Sequence, residues 1–232
     1  MRGAGLLFSI VLVAEPALAD NIVTVHGDQI SSAGENLFID ESLAASWTET
    51  GSYSNVDITV KLLVDTAFPL GEVTAYLTNE IGPGTTTADE IVPSFTFPAV
   101  AGPFPFQPTF TVFQGLTLSP GTYYLTLFSD APTFNTPVAW SVASHSTSIE
   151  TGPGVTRNSD LSSFGKSQNA FSPASAYSPL PFDSEDPLEF SVTGTPNSTT
   201  VPEPSSLSLI ALGTVLAITV SSHRVGAKRN RP

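Results

Sequence analysis

Apolar residues recur at every second position through most of this chain, and that spacing restricts the fold more than any other feature. In VDITVKLL, Val56, Ile58, Val60 and Leu62 alternate with Asp57, Thr59 and Lys61. A strand sends successive side chains to opposite faces, so such a segment has one side for a core and one for water. The pattern returns in EVTAYLT (Val73, Ala75, Leu77), PTFTVF (Phe110, Val112) and TYYLTLF (Tyr123, Leu125, Leu127). It returns again in PVAWSVA (Val138, Trp140, Val142) and PLEFSVT (Leu188, Phe190, Val192). NIVTV, NLFI and LAASWTE are less regular candidates, and turn chemistry such as FPLGE, IGPG and LSPGT separates the runs. Roughly eight to ten short strands with polar turns predict an all-β fold, a β-sandwich of jelly-roll-like type. With 232 residues and 41% apolar content, the chain suits one domain with a real core plus appendages. The stretch 151–181, rich in Ser, Pro, Asn and Gly, reads as a long excursion over the surface.

The two ends depart from this pattern. MRGAGLLFSIVLVAEPALAD opens with Arg2, continues with an apolar run from Leu6 to Ala14, and reaches the small-x-small triplet Ala17-Leu18-Ala19. The run is too short to cross a bilayer, so it predicts a removable export signal helix over 1–19, with Asp20 the first mature residue. Near the other end, Ser205 to Ser222 is uncharged, close to the lower limit of about 17 residues for a transmembrane helix. Arg224, Lys228, Arg229 and Arg231 follow it. Bases stay on the cytoplasmic side, so the body is expected outside the inner membrane and the tail inside. The expected layout is a signal peptide at 1–19, a sandwich at 20–192, a flexible stalk at 193–200 (TGTPNSTT, from Thr193) and a terminal segment at 201–232.

That terminal segment begins with Val201-Pro202-Glu203-Pro204. Each proline fixes its own φ and pushes the residue before it out of the helical region. The four residues therefore form a stiff, extended segment with Glu203 projecting, ahead of a helix that Ser205 or Ser206 can cap. The order Val-Pro-Glu-Pro, apolar span, Arg-rich terminus closely resembles the PEP-CTERM sorting signal of Gram-negative bacteria. The resemblance implies a membrane-embedded exosortase that recognises Pro202, Glu203 and Pro204 and removes the tail. It also implies a setting in which extracellular polysaccharide is made. The alternative reading of the same topology is a permanent single-pass anchor. LAASWTETGSYSNVDITVKLLVD and FTVFQGLTLSPGTYYLTLFSD, in turn, look like the choice-of-anchor β-domains, exported modules that bring a fold and no catalytic residues.

Charge narrows the partners. From Asp20 to Glu203 there are 20 acids against three bases, Lys61, Arg157 and Lys166, a balance of −17. A body this acidic repels phosphate backbones, which argues against nucleic acid. There is no cysteine, so disulfides, thiolate metal sites and cysteine nucleophiles are excluded.

Catalytic constellations are sparse. Gly165-Lys166-Ser167 matches the end of a phosphate-binding loop, but Asp160 stands where the first glycine is required. His26 and His145 form no metal-binding pair, and no Gly-x-Ser-x-Gly elbow occurs. Asp183, Glu185 and Asp186 are a candidate calcium set that lacks the usual loop order. Trp47, Tyr53 and Tyr124 are candidates for stacking on a sugar, while Trp140 and Tyr123 fall on core faces by alternation. No cofactor and no catalytic residue is expected. The sequence thus predicts a non-enzymatic exported protein of the cell surface or matrix, whose partners are signal peptidase, the secretion machinery and an exosortase. A carbohydrate-binding module acting on extracellular polysaccharide is the alternative, and a hydrolase requires an acid–base pair to converge in a cleft.

Overall fold

The computed structural model describes residues 19–27, 34–64, 71–98, 107–130, 138–143, 147–164, 171–181 and 186–197. Within them are fourteen strands and two single-turn 3-10 helices, Thr87–Asp89 and Ser172–Ala174. The strands form two antiparallel sheets, which is the all-β architecture that the period-2 pattern demands.

In the first sheet, β1 (Asp20–Gly27) lies between β10 (Thr147–Thr151) and β14 (Phe190–Pro196). β14 pairs in turn with β4 (Tyr53–Val64), whose other neighbour over the same residues is β7 (Thr109–Leu118). At its far end β4 pairs with β9 (Val138–Ser141), which carries the short β2 (Gly34–Asn36). In the second sheet, β3 (Glu41–Glu49) pairs with β8 (Gly121–Ser129). β8 then pairs with β5 (Glu72–Thr78), and β5 with the edge strand β6 (Glu90–Pro98). The other flank of β3 takes β11 (Val155–Arg157) and β12 (Leu161–Phe164), and β12 takes β13 (Ser178–Pro179).

The inner faces meet in one continuous core. Val56, Ile58, Val60 and Leu62 of β4 and Leu43, Ala45 and Trp47 of β3 are all buried in it. Trp47 packs on Phe190 of the opposite sheet with ring centroids 6.0 Å apart, and Phe97 packs on Phe110 at 4.8 Å. Each fully buried large side chain contributes about 1.5–3 kcal/mol, so the alternating runs supply most of the driving force. The β4–β7 pairing carries register shifts, and the two positive-φ residues beside them fit the bulges: Asn55 at φ 50° and Gly115 at φ 65°. The Gly115 N–H is held by Asp57 Oδ1 at 2.9 Å.

Two segments differ from the expectation drawn from composition. The stretch 151–181 is not simply an excursion, because β11, β12 and β13 extend the second sheet within it. Residues 171–177, around the 3-10 helix at Ser172–Ala174, lie over the outer face of that sheet. Tyr177 Oη meets Ser42 Oγ at 2.7 Å, the Phe171 ring meets Tyr76 edge-on at 5.4 Å, and Gly82 N–H donates to Pro173 O at 2.8 Å. Serine and proline marked it as loop, yet backbone pairing, the Tyr177–Ser42 hydroxyl contact and the Phe171–Tyr76 ring contact hold it there, while the Ser172, Ser175 and Thr126 hydroxyls are buried without a hydrogen-bond partner. β14 likewise continues through Pro196, so residues 193–196, expected as the start of a stalk, are a central strand. Gly194 belongs there because a Cβ would stand 2.8 Å from Val56 Cγ2 and 3.1 Å from Ile22 Cδ1.

β6 was not expected at all. Pro93 interrupts its alternation, and an edge strand tolerates a proline whose missing N–H faces away from the ladder. No helix among the described residues is long and apolar enough to cross a membrane. The export signal through Leu18, including Ala17, and the whole of 198–232, with Val201–Pro204, the span at 205–222 and the terminal bases, lie outside the described residues.

Candidate functional site

The period-2 rule that buries one face of each strand places polar side chains on the other. On the outer face of the first sheet this brings four strands' worth of them together. Thr24 and His26 come from β1, Ser191 from β14, Thr59 and Lys61 from β4, and Thr109 from β7, with Glu189 just ahead of β14. In the ladder, Thr24 stands opposite Ser191, Ser191 opposite Thr59, and Lys61 opposite Thr109. These residues line a groove of about 250 Å³ together with Val25 and Phe190. Thr24 Oγ1 and Ser191 Oγ are 2.7 Å apart, so these two hydroxyls form a linked pair.

Glu189 anchors the end of that groove. Its carboxylate is 2% exposed and lies 3.0 Å from Lys61 Nζ, whose side chain is 26% exposed. Oε1 accepts from Gly27 N–H at 2.9 Å, and Oε2 accepts from Ser141 Oγ at 2.5 Å. Its backbone carbonyl accepts from the Trp140 indole N–H at 2.8 Å, and its N–H donates to Ser141 O at 2.8 Å. A buried carboxylate is costly unless its lone pairs are met, and here they are met from β1, β4 and β9 at once. Gln107 Nε2 extends the network by donating to Ser141 Oγ at 3.3 Å. Sequence reading passed over Glu189 and Ser141. The available signal was that Lys61, one of only three bases in the body, and Glu189 both fall on the polar side of alternating strands.

The groove has a mainly apolar floor that carries a few polar groups. Its hydroxyls, one ammonium and the edge of one carboxylate suit a polyhydroxylated ligand. Ser141, whose hydroxyl is held by the Glu189 carboxylate, is fully buried and does not line the groove. The partners of the Glu189 carboxylate are Gly27, Lys61 and Ser141, while His26 sits exposed at the rim.

The aromatic candidates separate. Trp47 is fully buried, its ring stacked on Tyr123 at 5.6 Å, and so cannot present a face to a sugar. Tyr53 is 5% exposed at the start of β4 and is excluded for the same reason. Trp47 alternates onto the inner face with Leu43 and Ala45, whereas Tyr53 is turned inward by the register shift at Asn55, and the packing of two opposed sheets encloses both. Tyr124 is half-buried on the outer side of the second sheet, opposite Ser46 and Thr78, which places it on the face away from the groove. Trp140 and Tyr123 are core residues, as their alternation predicts. Of the acidic candidates, Asp183 and Glu185 lie outside the described residues, as do His145 and Gly165-Lys166-Ser167. Asp186 is half-buried, and its charge adds to the burial that raises the Glu35 carboxyl. Among the described residues no three metal-ligating side chains gather. Ala19 and Asp20 are exposed at the start of β1.

Two further acids are buried at opposite ends of β3. Burial pushes Glu41 up to about 8, with the Glu35 charge adding to the rise. Burial likewise pushes Glu49 up to about 7, tempered by the nearby indole of Trp47. That contact falls short of hydrogen-bond geometry, so both Glu49 oxygens and the Trp47 indole N–H are buried without a hydrogen-bond partner. No family model matches this chain, no curated protein matches it in sequence, and no solved structure matches it in fold.

Proposed function

We propose that this is an exported, non-enzymatic protein of the cell surface or extracellular matrix of a Gram-negative bacterium, carried on a jelly-roll-like sandwich. Its tail is a sorting signal that an exosortase recognises at Val201-Pro202-Glu203-Pro204 and removes. The observation that carries this reading is the order of a rigid Pro-Glu-Pro, an uncharged run over 205–222 and a terminus holding Arg224, Lys228, Arg229 and Arg231. The export signal ending at Ala17-Leu18-Ala19 gives the same topology from the other end. Replacing Pro202, Glu203 and Pro204 together by alanine is expected to leave the tail attached in the native cell, seen as retention of the C-terminal peptide by mass spectrometry. Unchanged removal overturns recognition through this motif. A tail still present on the unsubstituted protein at the surface points instead to a permanent anchor.

The groove over Glu189 and Lys61 favours a second reading, a carbohydrate-binding module for extracellular polysaccharide. Substitution of Thr59 and Ser191 by valine and alanine is expected to weaken retention on the producer's polysaccharide by at least tenfold, about 1.4 kcal/mol, for the loss of two hydroxyl contacts. Equal retention removes the groove from that role, and loss on Tyr124→Ala moves it to the other face.

A further inference from the structure

We propose that Ser141 and Gln107 become joined by an intramolecular ester bond, formed at the buried carboxylate of Glu189. The starting geometry is on hand. Ser141 Oγ donates its proton to Glu189 Oε2 at 2.5 Å, and the Gln107 carboxamide approaches Ser141 Oγ through Nε2 at 3.3 Å. Ser141 is fully buried and Glu189 is 2% exposed, so this hydroxyl faces a protein carboxylate and a protein amide in place of water.

The reaction is an acyl transfer with no change of oxidation state. Rotation about the Cγ–Cδ bond of Gln107, a torsion with a broad minimum, turns the carbonyl face toward Ser141 Oγ. Oγ attacks Cδ while Glu189 takes the hydroxyl proton. The tetrahedral centre collapses, the Cδ–Nε2 bond breaks, and Glu189 returns the proton to the departing nitrogen. The products are an Oγ–Cδ ester and one ammonia. An unactivated amide is a poor electrophile and a serine a poor nucleophile. An adjacent base corrects the second defect, and fixed proximity, equivalent to effective molarities of about 10⁵–10⁸ M, offsets the first. Escape of ammonia draws the reaction forward, and exclusion of water from Ser141 protects the ester from hydrolysis. Lys61, at 3.0 Å, and Gly27 N–H, at 2.9 Å, are positioning groups that keep the Glu189 carboxylate aimed at Ser141.

The bond joins the residue two positions ahead of β7 to β9, strands that flank opposite sides of β4. It closes the chain from 107 to 141 in a protein with no cysteine for a disulfide. The ester depends on the body alone and is independent of how the tail is processed.

The test is peptide mapping of the full chain, recovered folded and held at neutral pH, then digested under denaturing acidic conditions. The expected result is one linked pair of peptides containing Gln107 and Ser141, lighter than their sum by one ammonia, about 17 Da, and split by hydroxylamine. Ser141→Ala and Gln107→Met are each expected to yield only separate peptides, and Glu189→Gln to slow linkage at least a hundredfold. Recovery of the Gln107 and Ser141 peptides separately and at full mass from the unsubstituted protein overturns the proposal. So does a linked pair that runs through Lys61 and resists hydroxylamine. The decisive measurement is on the unsubstituted chain, so the proposal stays open to refutation even where a variant fails to fold.

Discussion

Glu49 shows how a single residue of this body responds to pH. Its carboxyl is buried with no hydrogen-bond partner on either oxygen, beside an indole N–H equally without one. Burial raises it from 4.5 to about 7, and Glu41 at the other end of the same strand is raised to about 8. An acid with a raised folded value binds its proton more tightly when folded, so the folded state loses ground as pH rises. The contribution is fully present below pH 4.5 and is lost progressively between there and about pH 8. The body should therefore melt at a higher temperature at pH 5 than at pH 8. Glu49→Gln should flatten that slope, raising stability at pH 8 by no more than about 3 kcal/mol while changing little at pH 5. Thermal melts of both proteins across that range check it, and parallel slopes sink it. At this scale the sequence was legible only where alternation decides. It placed Trp140 and Tyr123 inside, and the same alternation places Trp47 inside, whereas Tyr53 is brought in by a register shift at Asn55 that period-2 counting from Val56 does not show; both were expected as surface contacts. Glu41 and Glu49 were invisible because a glutamate on an apolar face looks like any other charged residue until the opposite sheet closes over it.

Among the elements, β4, β5, β7, β8, β9 and β14 coincide with clearly alternating runs, and β1 and β3 with the less regular candidates NIVTV and LAASWTE. Apart from β6, whose alternation Pro93 interrupts, what escaped were short elements held largely by hydroxyl and backbone pairing. β11 and β12 attach to β3 through VTR and LSSF, short pieces set in a stretch whose composition reads as loop. Their corner is secured by Asp160. Its buried carboxylate meets Arg157 at 2.6 Å and accepts from Leu188 N–H at 2.7 Å, and its carbonyl accepts from Leu180 N–H at 2.9 Å. One side chain thus ties the β11–β12 corner of the second sheet to the chain entering β14 in the first. Asp160→Asn removes the charge opposite a guanidinium that is 10% exposed, which is expected to cost about 3–5 kcal/mol. Replacing Asp160 by asparagine and Arg157 by methionine together should cost less than the single change, since no buried charge is then left behind and an acceptor for Leu188 N–H is kept. Chemical denaturation of the two variants decides this. A single substitution no worse than the double one would make the pair dispensable.

For the molecule as a whole, the question is where the folded body ends and the proposed sorting segment begins. Composition drew that line after Val192, because TGTPNSTT reads as a stalk. The backbone draws it later. β14 lies between β1 and β4, and its last residues pair Thr193 with Asn21 and Asp57, Thr195 with Ser54, and Pro196 with Tyr53. Asn197 N–H then donates to Ser52 O at 2.7 Å, and the chain divides into two units after that residue. A strand in the middle of a sheet supplies hydrogen bonds to both neighbours, so shortening it opens two ladders together. Gly194 adds a packing reason, since its bare backbone lets Val56 and Ile22 close over the strand. A body spanning 20–197 should therefore melt like a longer one spanning 20–200. Ending at Val192 should lower stability by several kcal/mol out of a typical total of about 5–15, enough to lower the melting temperature by about 10 °C or prevent folding. Circular-dichroism melts of the three lengths test the boundary. Equal melting at 192 and 197 would return 193–196 to the stalk, and the reach available between the sandwich and the Pro-Glu-Pro would lengthen with it.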